Sequence, residues 1–240
     1  MEIWAHRGAS AVAPENTLAA FQAAGRLGAD AVELDVHMTA DGELVVIHDA
    51  TVQRTTQGRG YVQQLTLKQI RALDAGYKFG PQFRGERIPT LKEALEAIRS
   101  AGLCVNIELK SGAAPYTGVE RRTVDLLVDM GMAERATVSS FQYDMLQRVQ
   151  AAAGQVPVAL LCTEFQPVGA AYAERFGASA LHPALNTVTP PYMREAIVRG
   201  VAVRPYTVNA EADVRRLRAW GAAAVITDNP ALAREALAAL

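Results

Sequence analysis

The sequence predicts an α/β fold, a (β/α)8 (TIM) barrel with a short insertion after the second barrel strand. Short apolar runs alternate with amphipathic helical stretches, the pattern of a parallel sheet covered by helices. Eight such runs fit within 240 residues, the usual size of a closed eightfold barrel. A doubly wound open sheet is the competing architecture. No GxGxxG opens the first helix, which weighs against its dinucleotide-binding form. The whole chain, 1–240, reads as a single domain, with residues 51–89 as a long insertion at one barrel connection, a kind of segment that commonly carries function.

The strand-like runs are "EIWAH" (2–6), "DAVELDV" (30–36), "LCVNIEL" (103–109), "RATVS" (135–139), "VPVALL" (156–161), "ASALH" (178–182), "VAVRPY" (201–206) and "AAVIT" (223–227). Between the first two, Leu18, Phe21, Ala24 and Leu27 recur at helical spacing and predict an amphipathic helix. After the second comes "HMTADGELVVIHD", an extra strand turned back at Asp41-Gly42 by a two-residue hairpin loop. That register places Asp35 across from His48. Within 51–89 a short capped helix is expected from Thr66 to Leu73. Thr90 and Glu93 form a capping-box pattern, and Pro190 and Pro230 mark first helical positions. Gly25, Gly102, Gly131, Gly177, Gly200 and Gly221 fall where helix ends favour a left-handed residue.

Half the residues are hydrophobic, a fifth are charged and the net charge is −1. This is an ordinary globular composition, without the basic excess of a nucleic-acid or membrane-surface binder. No stretch of about 18 apolar residues exists and the first ten residues carry no signal-peptide pattern, so the chain is expected to be cytoplasmic, with no stable membrane insertion. Cys104 and Cys162 fall in predicted strands and are expected to be buried free thiols. The composition leaves the oligomeric state open.

The chemistry collects at strand ends. Residues i and i+2 of a strand share a face, so Glu33 and Asp35 point the same way, as do Glu108 and Lys110. With His6 these occupy the C-terminal ends of predicted strands, where barrel enzymes place their catalytic groups. Burying such charges is costly unless they are paired or bind a metal. Three carboxylates with few competing imidazoles suit one hard divalent cation, Mg²⁺ or Ca²⁺ with Mn²⁺ as a further option, whereas zinc prefers more His or Cys. Arg7 and Lys110 beside that cation suit a phosphate. His6 and His48 flanking the phosphate suit general acid–base work. His37 reads as a hairpin residue, and Asp49 as a residue that orients His48 or shapes the turn. His182 serves packing as readily as substrate contact. Asp228, before Asn229-Pro230, reads more simply as a helix cap.

In order along the chain, "HRGAS", "PENTLAAF", "VELDVHMTADGELVVIHD", "TTQGRGYVQQLTLKQIRALDAG", "IPTLKEAL", "NIELK", "SSF", "YTVN" and "TDNP" resemble the glycerophosphodiester phosphodiesterase family. The resemblance implies a metal-dependent hydrolase, with residues 51–89 as an insertion over the barrel mouth, that cleaves a glycerophosphodiester, a small molecule, to glycerol 3-phosphate and an alcohol. It implies His6 and His48 as the acid–base pair, Glu33, Asp35 and Glu108 as metal ligands, Arg7 and Lys110 as phosphate binders, and Glu15 and Asn16 as braces of the first loop. Tyr206 stands where the family usually has Trp, so the aromatic wall is smaller and substrate preference is open there. A lysophospholipase D-type phosphodiesterase is the nearest alternative. A non-catalytic barrel that binds phosphate ligands and a zinc-dependent sugar-phosphate isomerase are the others.

Overall fold

The computed structural model describes residues 1–238. Its elements run β1 (Glu2–His6), α1 (Leu18–Arg26), β2 (Ala31–Met38), β3 (Leu44–Val46), α2 (Leu67–Arg71), α3 (Leu91–Ser100), β4 (Cys104–Leu109), α4 (Val119–Asp129), β5 (Ala136–Ser140), α5 (Tyr143–Ala152), β6 (Val158–Cys162), α6 (Ala170–Phe176), β7 (Ala180–Pro183), α7 (Pro190–Val198), β8 (Ala202–Val203), α8 (Glu211–Ala219), β9 (Ala224–Thr227) and α9 (Pro230–Ala238). Parallel pairing follows the order β8-β7-β6-β5-β4-β2-β1-β9, with β3 hung antiparallel on β2. Single backbone bonds bridge the remaining seam: Ala223 N–H donates to Val203 O at 2.9 Å, and Ile226 N–H to Pro205 O at 2.9 Å. The eightfold barrel expected from the alternation is therefore present, and each expected barrel run contains a strand. The seventh run holds the shortest strand, β8, with two ladder residues, and Pro205, whose carbonyl faces β9, has no N–H to extend pairing across that seam.

Alternation along β2 explains why the strand tolerates charge. Val32, Leu34 and Val36 are fully buried and belong to the large core between barrel and helices. Burial of each such side chain contributes about 1.5–3 kcal/mol. Ala31, Glu33 and Asp35 take the other face, inside the barrel. There Trp4, Ala31, Ala224 and Ile226 form a small separate cluster. Carboxylates at the mouth are thus positioned by an apolar plug inside the barrel and an apolar shell outside it.

The helix signals behave as capping chemistry dictates. Thr17, Thr90 and Thr189 accept from the first-turn N–H groups of α1, α3 and α7, and Thr66 and Thr90 make full capping boxes. Gly25, read from sequence as a helix-end residue, lies inside α1, and the left-handed position after that helix is Gly28, at φ +76°. Cys104, expected to be buried, is exposed at the start of β4, whereas Cys162 is buried.

The hairpin register also differs from expectation. Val36 pairs with Val46, His37 with Val45 and Met38 with Leu44. Thr39 N–H donates to Glu43 O at 2.9 Å, and Gly42 N–H to Thr39 O at 3.0 Å. The loop is therefore the three residues Ala40–Gly42, with Gly42 left-handed at φ +84°, not the two-residue Asp41-Gly42 turn. Asp35 lies opposite Ile47, whose N–H donates to Asp35 O at 3.0 Å, rather than opposite His48. The strand ends at Val46, and the bend that follows brings His48 to the barrel mouth.

Residues 51–89 are held by a second small core. Val45, Ile47, Val52, Val62, Ile70, Ala75 and Ile88 pack together, and an isolated bridge pairs Thr51 with Tyr61. No helix among the described residues is long and apolar enough to cross a membrane.

Candidate active site

Strand register places the acidic groups side by side. His6 of β1 aligns with Glu33 of β2, Glu33 with Asn106 of β4, and Asp35 with Glu108. Glu33, Asp35 and Glu108 are buried, and each offers a carboxylate oxygen within 4.8 Å of the others. Lys110 reaches across them, with Nζ 3.0 Å from Asp35 Oδ1 and 2.5 Å from Glu108 Oε1.

The loop after β1 supplies the second cation. Arg7 sits in the left-handed region at φ +57°, a conformation that costs energy for a residue with a Cβ and recurs at functional sites. This turn directs its N–H to Glu33 Oε2 at 2.9 Å and its side chain to Glu15 Oε1 at 2.9 Å, with Nε 3.5 Å from Asp35 Oδ2. Gly8 follows at φ +81°, where a Cβ would lie 2.7 Å from the Ala20 Cβ, so only glycine fits. Asn16 donates to Asp35 Oδ2 at 2.8 Å and accepts from its backbone N–H at 3.3 Å.

Both candidate acid–base histidines have a carboxylate on the same ring nitrogen. His6 Nδ1 is 2.6 Å from Asp228 Oδ1, and His48 Nδ1 is 2.7 Å from Asp49 Oδ1. Such a pair assigns the proton to Nδ1 and leaves Nε2 free. Asp228 is therefore not the helix cap expected from sequence. Asn229 does that work, its Oδ1 accepting from Leu232 N–H at 3.2 Å. Burial alone would raise the Asp228 carboxyl, but His6, Asn209 and Ser10 hold it down at about 2. Asp49 is likewise held at about 2 against burial, by Arg54 and His48.

The three clustered carboxylates do not titrate alike. Burial would raise Asp35, but Lys110 and Arg7 outweigh it and keep the carboxyl well below its ordinary value. Glu33 is pushed well up by burial and then by repulsion from Asp35 and Glu108. Burial raises Glu108 to about 7 even with Lys110 beside it. Asp35 Oδ1 is buried without a well-directed hydrogen bond among the described residues. The donor set therefore fits a hard cation: all-oxygen, buried, crowded and under-neutralised. With all three ionised, as ligands of a cation would be, the carboxylates against Arg7 and Lys110 leave one negative charge. A phosphodiester would bring a second, and a divalent cation balances both.

These groups open into one pocket, lined in part by His6, Arg7, Glu33, His48, Glu108, Lys110 and Tyr206. Asp35 lies just beneath it in the acidic cluster. Phe141, Leu161 and Ile226 give the pocket an apolar wall, and the Tyr206 hydroxyl donates to Cys162 O at 3.3 Å. His182 also lines it, fully buried beside Arg204. Sequence reasoning missed Asp228 as the partner of His6, and it missed Ser10, Asn209 and Arg54. A carboxylate at the C-terminal end of β9 was a usable signal for Asp228. Arg54 lies in an aperiodic segment and had none.

His37 is structural, as expected. Its Nδ1 is 2.7 Å from the Tyr116 hydroxyl and its Nε2 is 3.1 Å from His48 O, so Nε2 donates and Nδ1 accepts. Burial, with Lys110 nearby and Asp35 opposing, lowers its pKa to about 4. A histidine held neutral in the fold binds a proton more readily when unfolded, between about pH 4 and 6.5. Stability from this residue is thus complete above about pH 6.5 and declines toward pH 4, by about 3 kcal/mol in all. Urea unfolding across this range is expected to show the decline, and His37→Gln, which keeps one donor and one acceptor, to flatten it. An unchanged slope in that variant would remove His37 as the cause.

Residues 6–232 match the sequence profile described as the glycerophosphoryl diester phosphodiesterase family. The chain is 44% identical over 228 residues to a glycerophosphodiester phosphodiesterase of Caldanaerobacter subterraneus, covering 94% of this chain and 93% of that one. Among solved structures it resembles an Oleispira antarctica phosphodiesterase in complex with the product sn-glycerol-3-phosphate, with a TM-score of 0.89 at 31% identity, over 99% of this chain and 97% of that one. A glycerophosphodiester phosphodiesterase from Agrobacterium tumefaciens gives a TM-score of 0.86 at 31% identity, over 98% of this chain and 99% of that one.

Proposed function

This chain belongs to the glycerophosphoryl diester phosphodiesterase family, and from that premise we propose that it hydrolyses glycerophosphodiesters to glycerol 3-phosphate and an alcohol with the help of a divalent cation and two histidines. One observation carries the reading. Two histidines, each with Nδ1 on a carboxylate, line the same pocket as clustered acidic groups, an arginine and a lysine.

Each group then has a role that its position supports. Arg7 and Lys110 bind the phosphate, Arg7 with the planar fork and Lys110 as a point charge. Glu33, Asp35 and Glu108 would hold one Mg²⁺, Ca²⁺ or Mn²⁺, which polarises a phosphoryl oxygen when bound. One histidine accepts the proton of the attacking hydroxyl at Nε2, and the other donates a proton to the leaving alkoxide. Asp228 and Asp49 hold the rings in position and stabilise each imidazolium as it forms. Tyr206, Phe141 and Leu161 exclude water from one side of the pocket.

Protein stripped with EDTA and verified metal-free is expected to be inactive on a panel of glycerophosphodiesters and to recover with Mg²⁺, Ca²⁺ or Mn²⁺. Glu108→Gln is expected to stay folded while binding the cation more weakly in a direct titration. Full activity in metal-free protein would overturn the reading.

A further inference from the structure

We propose that Arg54 is a positioning residue for the hydrolysis, a single guanidinium that sets the orientation of both His48 and Arg7. The inference rests on the roles given above to those two residues. Arg54 belongs to the segment that follows the His48–Asp49 bend. Its Nε donates to Asp49 Oδ2 at 2.8 Å and Nη2 to Asp49 Oδ1 at 3.1 Å. On the other side, Nη1 donates to Glu15 Oε2 and Nη2 to Glu15 Oε1, both at 2.7 Å. Asp49 then meets His48 Nδ1, and Glu15 meets Arg7. A continuous chain therefore runs His48–Asp49–Arg54–Glu15–Arg7 across the rim of the pocket.

Three features favour positioning over simple surface pairing. First, Arg54 is about half exposed, with 45% of its side-chain surface open, and exposed ion pairs add little to stability. Its value to the fold alone is small. Second, Asp49 Oδ2 and Glu15 Oε2 have no other hydrogen-bond donor among the described residues. Without Arg54 the two carboxylates would repel each other and be free to turn away from His48 and Arg7. Third, the backbone carrying Arg54 is anchored. Val52 is fully buried, and its carbonyl accepts from Thr56 N–H at 3.1 Å and from the Thr56 hydroxyl at 2.7 Å. A lysine could not replace this residue, because a point charge cannot engage two carboxylates in two planar forks.

The test is steady-state hydrolysis of glycerophosphocholine by the cation-loaded enzyme, with thermal unfolding measured on every variant. Arg54→Ala is expected to lower kcat about 10–100-fold, the range seen when a group that orients a metal-site or catalytic residue is lost. Millimolar guanidinium is expected to restore part of that loss in Arg54→Ala and none in Asp49→Ala. The Arg54→Ala/Asp49→Ala double variant is expected to lose less than the product of the single losses, since both act through His48. If alanine prevents folding, Arg54→Gln keeps the stem and serves in its place. His48→Ala is run alongside. If it keeps near-parent activity, the proposed function fails and this inference with it. If His48→Ala is inactive while Arg54→Ala is within twofold of parent, only the Arg54 role is overturned. A loss that multiplies with that of Asp49→Ala and ignores guanidinium would also overturn it.

Discussion

His48→Ala is expected to reduce kcat about 10²–10⁴-fold, with a much smaller change in KM, and His6→Ala to do the same. Neither ring is needed to fill the core, since both open on the pocket, so the variants should fold. Each ring has its Nδ1 committed to a carboxylate, which leaves one nitrogen per ring for substrate chemistry. Burial, with Lys110 and Arg7 nearby, lowers the His48 pKa even though Asp35 and Asp49 oppose it, so this ring is ready to accept a proton at neutral pH. If the histidines act as a pair, the double variant should fall short of the product of the single losses. A substrate with a p-nitrophenol leaving group separates the two roles. Departure of that group needs little protonation, so the variant lacking the acid should recover much of its rate while the variant lacking the base should not. Near-parent kcat in either variant would return that histidine to a structural role.

The legible and illegible parts of this molecule divide along physical lines. The barrel was readable because a strand buried on its outer face must be apolar there, and the alternation of Val32, Leu34 and Val36 fits little else. Glu33, Asp35 and Glu108 were readable for the converse reason, since carboxylates set into such runs need a partner or a cation. The hairpin register was not. Gly42 accepts a left-handed conformation equally in a two-residue turn and in the three-residue loop it actually occupies, and a single residue decides the pairing. His48 nevertheless reaches the pocket, because the bend after Val46, not the ladder, aims it. Asp228 was misread because Asn229-Pro230 makes a complete helix start next to it, and a cap is a local pattern. Its true partner, His6, is 222 residues away. Arg54 is the extreme case. Its two carboxylates lie on different segments, and no periodicity or spacing connects them before the chain folds.

Removing the 2-hydroxyl of the glycerol moiety from the substrate is expected to slow turnover at least about 10²-fold, with little change in binding. The effect identifies the nucleophile. A glycerophosphodiester carries that hydroxyl on the carbon next to the phosphoester carbon. Held in line with phosphorus, it attacks without the entropic cost of recruiting a water. Well-oriented intramolecular attack reaches effective molarities of about 10⁵–10⁸ M, equivalent to roughly 7–11 kcal/mol of barrier. The pocket favours this route on two counts. Arg7 and Lys110 flank the acidic cluster, where they would hold the phosphate in a fixed orientation, and Phe141, Leu161 and Ile226 form an apolar wall that would limit access of bulk water. Two histidines also match two steps. In the first, one would take the hydroxyl proton and the other would protonate the leaving alcohol, giving a cyclic glycerol phosphate. In the second their roles would reverse as water opens the ring. Under direct attack by water the 2-hydroxyl would be a spectator, and its removal would leave kcat near the parent value. Hydrolysis of the deoxy analogue at the parent rate would therefore exclude the cyclic route and assign the histidines to activation of water instead.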